Sequence, residues 1–443
     1  MRIILFALFA VAPLASSASA AELPAVVQKP TADVYAQPKF DAPKLATLRR
    51  DTEVKISAQQ GLWYQLQMSA GAPGFVRVND VRVAYAGVED GEANLRVLMG
   101  GKAGKGRVTE TAGVRGIDES DLKSAALNQA QLNAMVGYRV DASAAAAYAA
   151  EQGWQATHVA YAGEAKASKK SGKSPSESAA SKTEIAKSMG GLLGSLGVNV
   201  GTKLDTAAKA VPKSENELAA EEIALGPEIA GRILGARPLW SDAGAQQRVN
   251  LVGRWVASQT SRPELPWTFG VIDTPEVNAF AAPGGFILVT RGLYQLLSSD
   301  SEVAAVLGHE ISHCVQRDHY NVIHKQELAT AGKDEAMRNV TVGNDSVAGG
   351  YARRYAEKNG AAIMLTSLDR EAEYRSDEAA EFYLARAGMN PLALYAVLQK
   401  LTALGSESAS LAQLYKTHPP LAGRLDHIDQ RGLGALETYT TRD

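Results

Sequence analysis

The chain has 443 residues, 46% hydrophobic and 21% charged, so it can bury two or three domain cores and is not a disordered polymer. Lys and Arg number 46 against 48 Asp and Glu, a net charge of −2, which excludes a global field drawing it to nucleic acid or anionic membranes. The single cysteine, Cys314, excludes an internal disulfide, so stability has to come from packed cores.

Residues 1–20, MRIILFALFAVAPLASSASA, have the layout of a cleaved secretory signal peptide: Arg2, an apolar run from Ile3 to Leu14, then Ala18-Ser19-Ala20 before the expected cut. An uncleaved anchor is the alternative, but about 12 apolar residues fall short of the ~20 a membrane span requires. No cysteine follows the signal to carry a lipid. The expectation is therefore a periplasmic protein with no integral membrane span after signal cleavage.

Residues 22–86 contain short period-2 runs, DVYAQP, ATLRRDTEVKI, GLWYQLQM and GAPGFVRVNDVRV, broken by Pro and Gly, and these predict a small all-β barrel. The order Val34-Tyr35, Pro38, Leu48, Thr52 to Val54, Gly61-Leu62-Trp63-Tyr64, Gly74-Phe75-Val76 resembles a bacterial SH3-like domain. That resemblance implies a cell-wall peptide or protein ligand; a packing role for Trp63 and Tyr64 is the alternative.

Residues 87–162 are Ala-rich and predict two short amphipathic helices followed by a strand at ATHVAYAG, a small α/β region without an assigned role. Residues 163–215 begin GEAKASKKSGKSPSESAASKTE, with almost nothing to bury, and read as a flexible linker. The KSMGGLLGSLGVNVG within it lacks the Gly-Lys-Ser/Thr ending of a phosphate loop and is too short to span a bilayer.

From about residue 216 to 430 the pattern is that of a compact α+β, mainly helical domain. Ser299 with Glu302 three residues on suggests a capping box, and Val303, Ala304, Val306, Leu307 and Ile311 supply the apolar stripe of a helix. That helix contains HEISH. His309 and His313, four residues apart, share one face and can bind one metal, while Glu310 is placed to be the general base on a zinc-bound water. A chance match in a chain with 7 His is on the order of one per cent, so a third ligand is needed. LTSLDREAEYRSDEAAEFYLARAGMNP predicts a second helix stopped by Gly388 and Pro391; on it Glu373 is the candidate third ligand and Asp377, one turn later, the carboxylate that orients a ligating His.

HEISH with Glu373-x-x-x-Asp377 resembles the gluzincin metallopeptidase family of the HtpX and BepA type, relatives of the CAAX prenyl endoprotease. Asn278-Ala279-Phe280 with Pro283-Gly284-Gly285-Phe286-Ile287 resembles that family's strand and turn ahead of the zinc helix, and Thr417-His418-Pro419-Pro420 with Arg424 its carboxy-terminal signature. Ser376 stands where the family usually has Ala. Neither a carboxy-terminal repeat array, as in BepA, nor membrane spans, as in HtpX, are expected.

The resemblance implies a multidomain protein: the SH3-like barrel, then a metallopeptidase domain holding one Zn2+ per chain through His309, His313 and Glu373. Polypeptides, misfolded or of the envelope, would be hydrolysed. His418 and Arg424 would lie at the site, either as an oxyanion partner or, for His418, as a switch on the open zinc position. Asn278, Phe280, Gly284 and Gly285 would belong to the substrate strand, and FILVTRG would present an edge to an extended peptide. Cys314 reads as a buried apolar residue, and His158, His319, His324 and His427 as surface histidines. The alternative function is a non-catalytic envelope scaffold acting through the SH3-like module.

Overall fold

The computed structural model describes residues 22–68, 71–83, 91–99, 117–164, 214–331, 347–405 and 408–442. The signal segment and nearly all of the 163–215 linker lie outside them.

Alternating apolar positions make the first element set. Strands β1 (Leu23–Val27), β2 (Thr31–Tyr35), β3 (Lys44–Arg49), β4 (Glu53–Gln60), β5 (Trp63–Leu66), β6 (Gly74–Arg77) and β7 (Val81–Val83) pair antiparallel in the order β3-β2-β6-β5-β4-β1-β7. In β1 the inward residues Leu23, Ala25 and Val27 are buried while Pro24 is exposed, the period-2 signature of a sheet with one covered face. Among the described residues the end strands β3 and β7 do not pair with each other, so the all-β antiparallel sheet stays open between them.

The reason lies in what covers β7. Gln399 of a later helix donates its amide to the Val78 and Val81 carbonyls at 3.0 and 2.8 Å and accepts from Val83 N at 2.9 Å. Arg82 on the same strand pairs with Asp426 at 2.7 Å and with Asp429. Leu392, Ala396, Leu433 and Leu436 join the sheet's own apolar core, so the sheet is seated on the helical part.

Helices α1 (Gly91–Leu98), α2 (Glu119–Ser124), α3 (Gln129–Gly137) and α4 (Ala142–Glu151) follow, the last three started by Asp118, Asn128 and Asp141 side chains that accept from N–H groups of the first turn. The strand expected at ATHVAYAG is absent. Thr157 N donates to Arg386 O and the Val159 carbonyl accepts from Arg386 Nε, both at 2.8 Å, so its backbone is satisfied by a helix terminus instead of a sheet. Ala145, Ala149 and Tyr161 are buried in the main core, so residues 117–164 are helices and coil packed on the domain that follows, not an α/β unit.

That domain runs through α5 (Glu215–Ala236), α6 (Ala243–Ala257), β8 (Thr268–Ile272), β9 (Ala279–Ala282), β10 (Phe286–Thr290), α7 (Arg291–Leu296), α8 (Asp300–Gln316), α9 (Asp318–Ala331), α10 (Val347–Asn359), α11 (Arg370–Arg386), α12 (Leu392–Ala403), α13 (Leu414–Thr417) and α14 (Leu421–Arg431). The three strands pair in the order β8-β10-β9, parallel then antiparallel. FILVT is therefore the central strand, and the expected edge for a peptide is lost to β9. Gly284 and Gly285 make the β9–β10 turn at φ +75° and +90°. A Cβ on Gly284 would meet Ile223 Cα of α5 at 2.8 Å, so these glycines serve a close backbone approach.

Helix α8 is the axis of the core, with every residue from Glu302 to Val315 buried. Ser299 Oγ accepts from Glu302 N at 3.2 Å, but the Glu302 carboxylate accepts from Ser298 N and from Lys400 of α12, so only half of the expected capping box forms. No helix of the described residues is long and apolar enough to cross a membrane.

A candidate metal centre

Two helices bring the site together. On α8 the four-residue spacing places His309 and His313 on one face, and α11, begun by its Asp369 cap, lays Glu373 against them. The short α13 ends at its C-cap His418, and Pro420 then leads into α14, which carries Arg424. Ligand atoms of His309, His313, Glu373 and His418 all lie within 4.8 Å of one another.

The imidazole orientations follow from their outer partners. His309 Nδ1 lies 2.9 Å from Asp377 Oδ1, and His313 Nδ1 lies 2.9 Å from Asp318 Oδ2. A carboxylate can only accept, so both Nδ1 atoms carry the proton, and in the neutral imidazole that a metal takes both Nε2 atoms present bare lone pairs. Those lone pairs face each other at 3.2 Å. Glu373 adds Oε2 at 3.5 Å from His309 Nε2 and Oε1 at 3.6 Å from His313 Nε2. Such a convergence of acceptors, all buried, is unfavourable unless a cation neutralises it.

Zinc fits this donor set. Tetrahedral ligands at about 2.0–2.1 Å from zinc stand about 3.3 Å apart, close to the separations found. The set of two imidazoles and one carboxylate is that of a hydrolytic site which keeps one position open. His418 Nε2, 3.8 Å from Glu373 Oε2 and 3.9 Å from Glu310 Oε1, faces that side. Its Nδ1 is 2.9 Å from Thr417 Oγ1, whose own hydrogen is directed to the Gln413 or Leu414 carbonyl, so Nδ1 donates and Nε2 is again a free lone pair.

Charge is arranged accordingly. Burial pushes the Glu310 carboxyl above its ordinary value, against the lowering effect of the two histidines. Burial lowers the His418 imidazole to about 3, keeping it neutral. For His309, burial and then Arg424 oppose the charged form, but the hydrogen bonds to Asp377 and Glu373 prevail and raise it to about 9: the cluster attracts positive charge. Burial would raise Asp377, yet Arg424, bonded to it through Nε at 2.9 Å and through its terminal amine, holds it well below the carboxylate range.

Of the residues singled out in the sequence, the structure brings together His309, Glu310, His313, Glu373, Asp377, His418 and Arg424. Phe280 lines the same narrow pocket through β9, together with Ala279 and Ala281. Asn278 is wholly buried with its backbone bonded to Thr290, and neither it nor Gly284 and Gly285 lines that pocket.

Two residues had no signal in the pattern, Asp318 at His313 Nδ1 and Arg375 on Asp318; Ser376, noted only as a departure from the family, lies near the same nitrogen, and Thr417, quoted within the carboxy-terminal signature, bonds His418. His319, expected on the surface, lines the pocket with its ring centroid 6.1 Å from that of His313, and His324 stacks on Tyr320. Cys314 is buried, its thiol 3.4 Å from the Ala282 carbonyl, as its apolar reading expects. Residues 347–359 form helix α10, and residues 332–346 lie outside the described residues.

Residues 244–432 match the model of peptidase family M48. The "Beta-barrel assembly-enhancing protease" of Escherichia coli (strain K12) is 27% identical over 209 residues, covering 46% of this chain and 42% of that protein. "Metalloprotease LoiP" of the same organism is 28% identical over 166 residues, 38% of this chain and 63% of the relative, and the "Mitochondrial metalloendopeptidase OMA1" of Arabidopsis thaliana is 30% identical over 155 residues, 35% and 29%. The chain thus spans less than half the length of the assembly-enhancing relatives it matches.

Proposed function

Because residues 244–432 form a peptidase family M48 domain, we propose that this chain is a zinc-dependent endopeptidase that hydrolyses polypeptides, misfolded or of the cell envelope, in the periplasm. The observation that carries this reading is the pair of facing Nε2 lone pairs at 3.2 Å, closed by Glu373, with Glu310 buried beside them as a carboxylate outside the ligand set. A scaffold has no need of that carboxylate. The signal-like first 20 residues support export.

When bound by His309, His313 and Glu373, zinc supplies a Lewis acid that acidifies water and polarises the scissile carbonyl. Glu310, its carboxyl raised by burial above its ordinary value, takes the proton of the attacking water and delivers it to the leaving amine. Asp377 and Arg424 hold His309 in the Nδ1–H tautomer. Among the described strands β9 pairs only with β10, and it lines the pocket, so its other edge is where an extended substrate would add main-chain hydrogen bonds. His418 turns its Nε2 toward Glu310 and Glu373, so it would compete with water beside a metal held by the other three residues and keep the site silent until substrate arrives.

The amino-terminal sheet would bind the envelope ligand as an SH3-like module. A cavity of about 910 Å³ between it and the helical domain supports this. Trp63 and Phe40 line it, 4.9 Å apart edge to face, with Arg77 over the Phe40 ring.

The test is cleavage of an unfolded protein such as casein by wild type and Glu310→Gln. The amide is isosteric and takes no proton, so the variant should keep zinc and fold and lose about 10²–10⁴-fold in rate. Activity within a few-fold of wild type would remove Glu310 from the mechanism.

A further inference from the structure

Asp318 follows the zinc helix by a turn that sequence periodicity does not describe. Helix α8 ends at Arg317, which adopts the left-handed conformation, φ 60° and ψ 32°, one of only two non-glycine residues with positive φ among those described. A β-carbon makes that conformation unfavourable, so it persists only where its surroundings impose it. Here they do. Arg317 Nε lies 2.8 Å from Glu222 Oε2 and its terminal amine 3.1 Å from Glu215 Oε2, both on α5. Glu222 is wholly buried and is also held by both terminal nitrogens of Arg262 at 2.8 Å, one of which donates to the Cys314 carbonyl at 3.0 Å.

The consequence of this turn is that the chain doubles back on its own helix. Asp318, 9% exposed, returns to place Oδ2 2.9 Å from His313 Nδ1, while its Oδ1 accepts from Arg375 of α11 at 2.8 Å. The only other polar partner at that nitrogen among the described residues is the Ser376 hydroxyl, 3.2 Å away and itself buried. We infer that Asp318 is the positioning residue for His313, matching the role of Asp377 at His309. In this arrangement the Arg317 turn, anchored on Glu222, delivers it and Arg375 orients it. The two histidines are then held by separate carboxylate–arginine pairs, Asp377 with Arg424 and Asp318 with Arg375, and each pair faces away from the metal side.

This inference rests on the zinc reading above, and the experiment separates the two. Zinc affinity of the full mature chain is measured by competition with a chromogenic chelator for wild type, Asp318→Asn and Arg375→Gln, alongside melting of the zinc-free proteins. Asn can donate to Nδ1 and so favour the tautomer whose proton sits on the ligating Nε2; Asp318→Asn should weaken zinc about 10–100-fold. Arg375→Gln leaves the carboxylate in place and should weaken zinc by less than Asp318→Asn but more than threefold. Nitrogen NMR of the His313 ring should show the proton on Nδ1 in wild type and its redistribution in Asp318→Asn, which a merely structural change would not produce.

An Asp318→Asn protein that melts like wild type without zinc and binds zinc within twofold of it overturns the proposal. Should that variant fail to fold, unchanged affinity in Arg375→Gln overturns it instead. Wild type without zinc affinity overturns the zinc reading itself and this inference with it.

Discussion

Arg424→Met should destabilise the domain severely, and the structure says by how much. Asp377 is 1% exposed and Arg424 5%, with two hydrogen bonds between them and the guanidinium also 3.3 Å from His309 Nδ1. A surface pair would contribute about 0–1 kcal/mol. Here removal of the arginine strands a carboxylate whose proton affinity the arginine suppresses, and breaking a buried pair from one side costs about 3–5 kcal/mol. For a domain of about 190 residues, 2–4 °C per kcal/mol converts this to a fall in melting temperature of roughly 6–20 °C. Met fills much of the volume of the arginine stem, so the loss is electrostatic and not a cavity effect. Calorimetry of the zinc-free proteins at pH 7 measures it. The double variant Asp377→Asn/Arg424→Met carries no stranded charge and should recover more than half of the loss. A single variant within about 1 kcal/mol of wild type, or a double variant no more stable than the single, would refute the reasoning.

Glu373→Ala should release the metal and not merely slow the reaction, because no other carboxylate among the described residues joins the two histidines in the cluster; full zinc content after dialysis against a mild chelator would place the third ligand elsewhere. His418→Ala should cleave unfolded substrate faster than wild type, since a neutral imidazole facing the open position competes with water there; a fall of about 10²-fold or more would instead assign His418 to the oxyanion.

Local regularities carried the reading a long way. An i, i+4 pair on an apolar-striped helix has its geometry set by the helix itself, so HEISH implied two convergent imidazoles before any tertiary contact was known. The all-β character of the amino-terminal sheet, the stop of α11 before Gly388, and the burial of Cys314 follow equally from short-range pattern. Glu373, 60 residues beyond His313, was named from its place one turn before Asp377 on the second predicted helix, a spacing that lets two helices meet at a metal but does not fix which carboxylate of α11 reaches it.

What required the folded chain were the contacts made where local rules fail. Asp318 lies five residues past His313, outside helical register, and reaches it only because ion pairs from α5 hold Arg317 left-handed. The apolar run FILVT was compatible with an edge or a central strand; its partners β8 and β9 made it central and left β9 as the end strand, among those described, beside the pocket. ATHVAYAG had strand-like residues, yet Arg386 supplied its hydrogen bonds, and a backbone group already satisfied has no drive to enter a sheet. Sequence by itself determined the helix that carries the two imidazoles, because those interactions span four residues. Which carboxylates aim them, which strand edge stays open and what seats the amino-terminal sheet were decided by contacts between residues tens to hundreds of positions apart, whose energies no local pattern encodes.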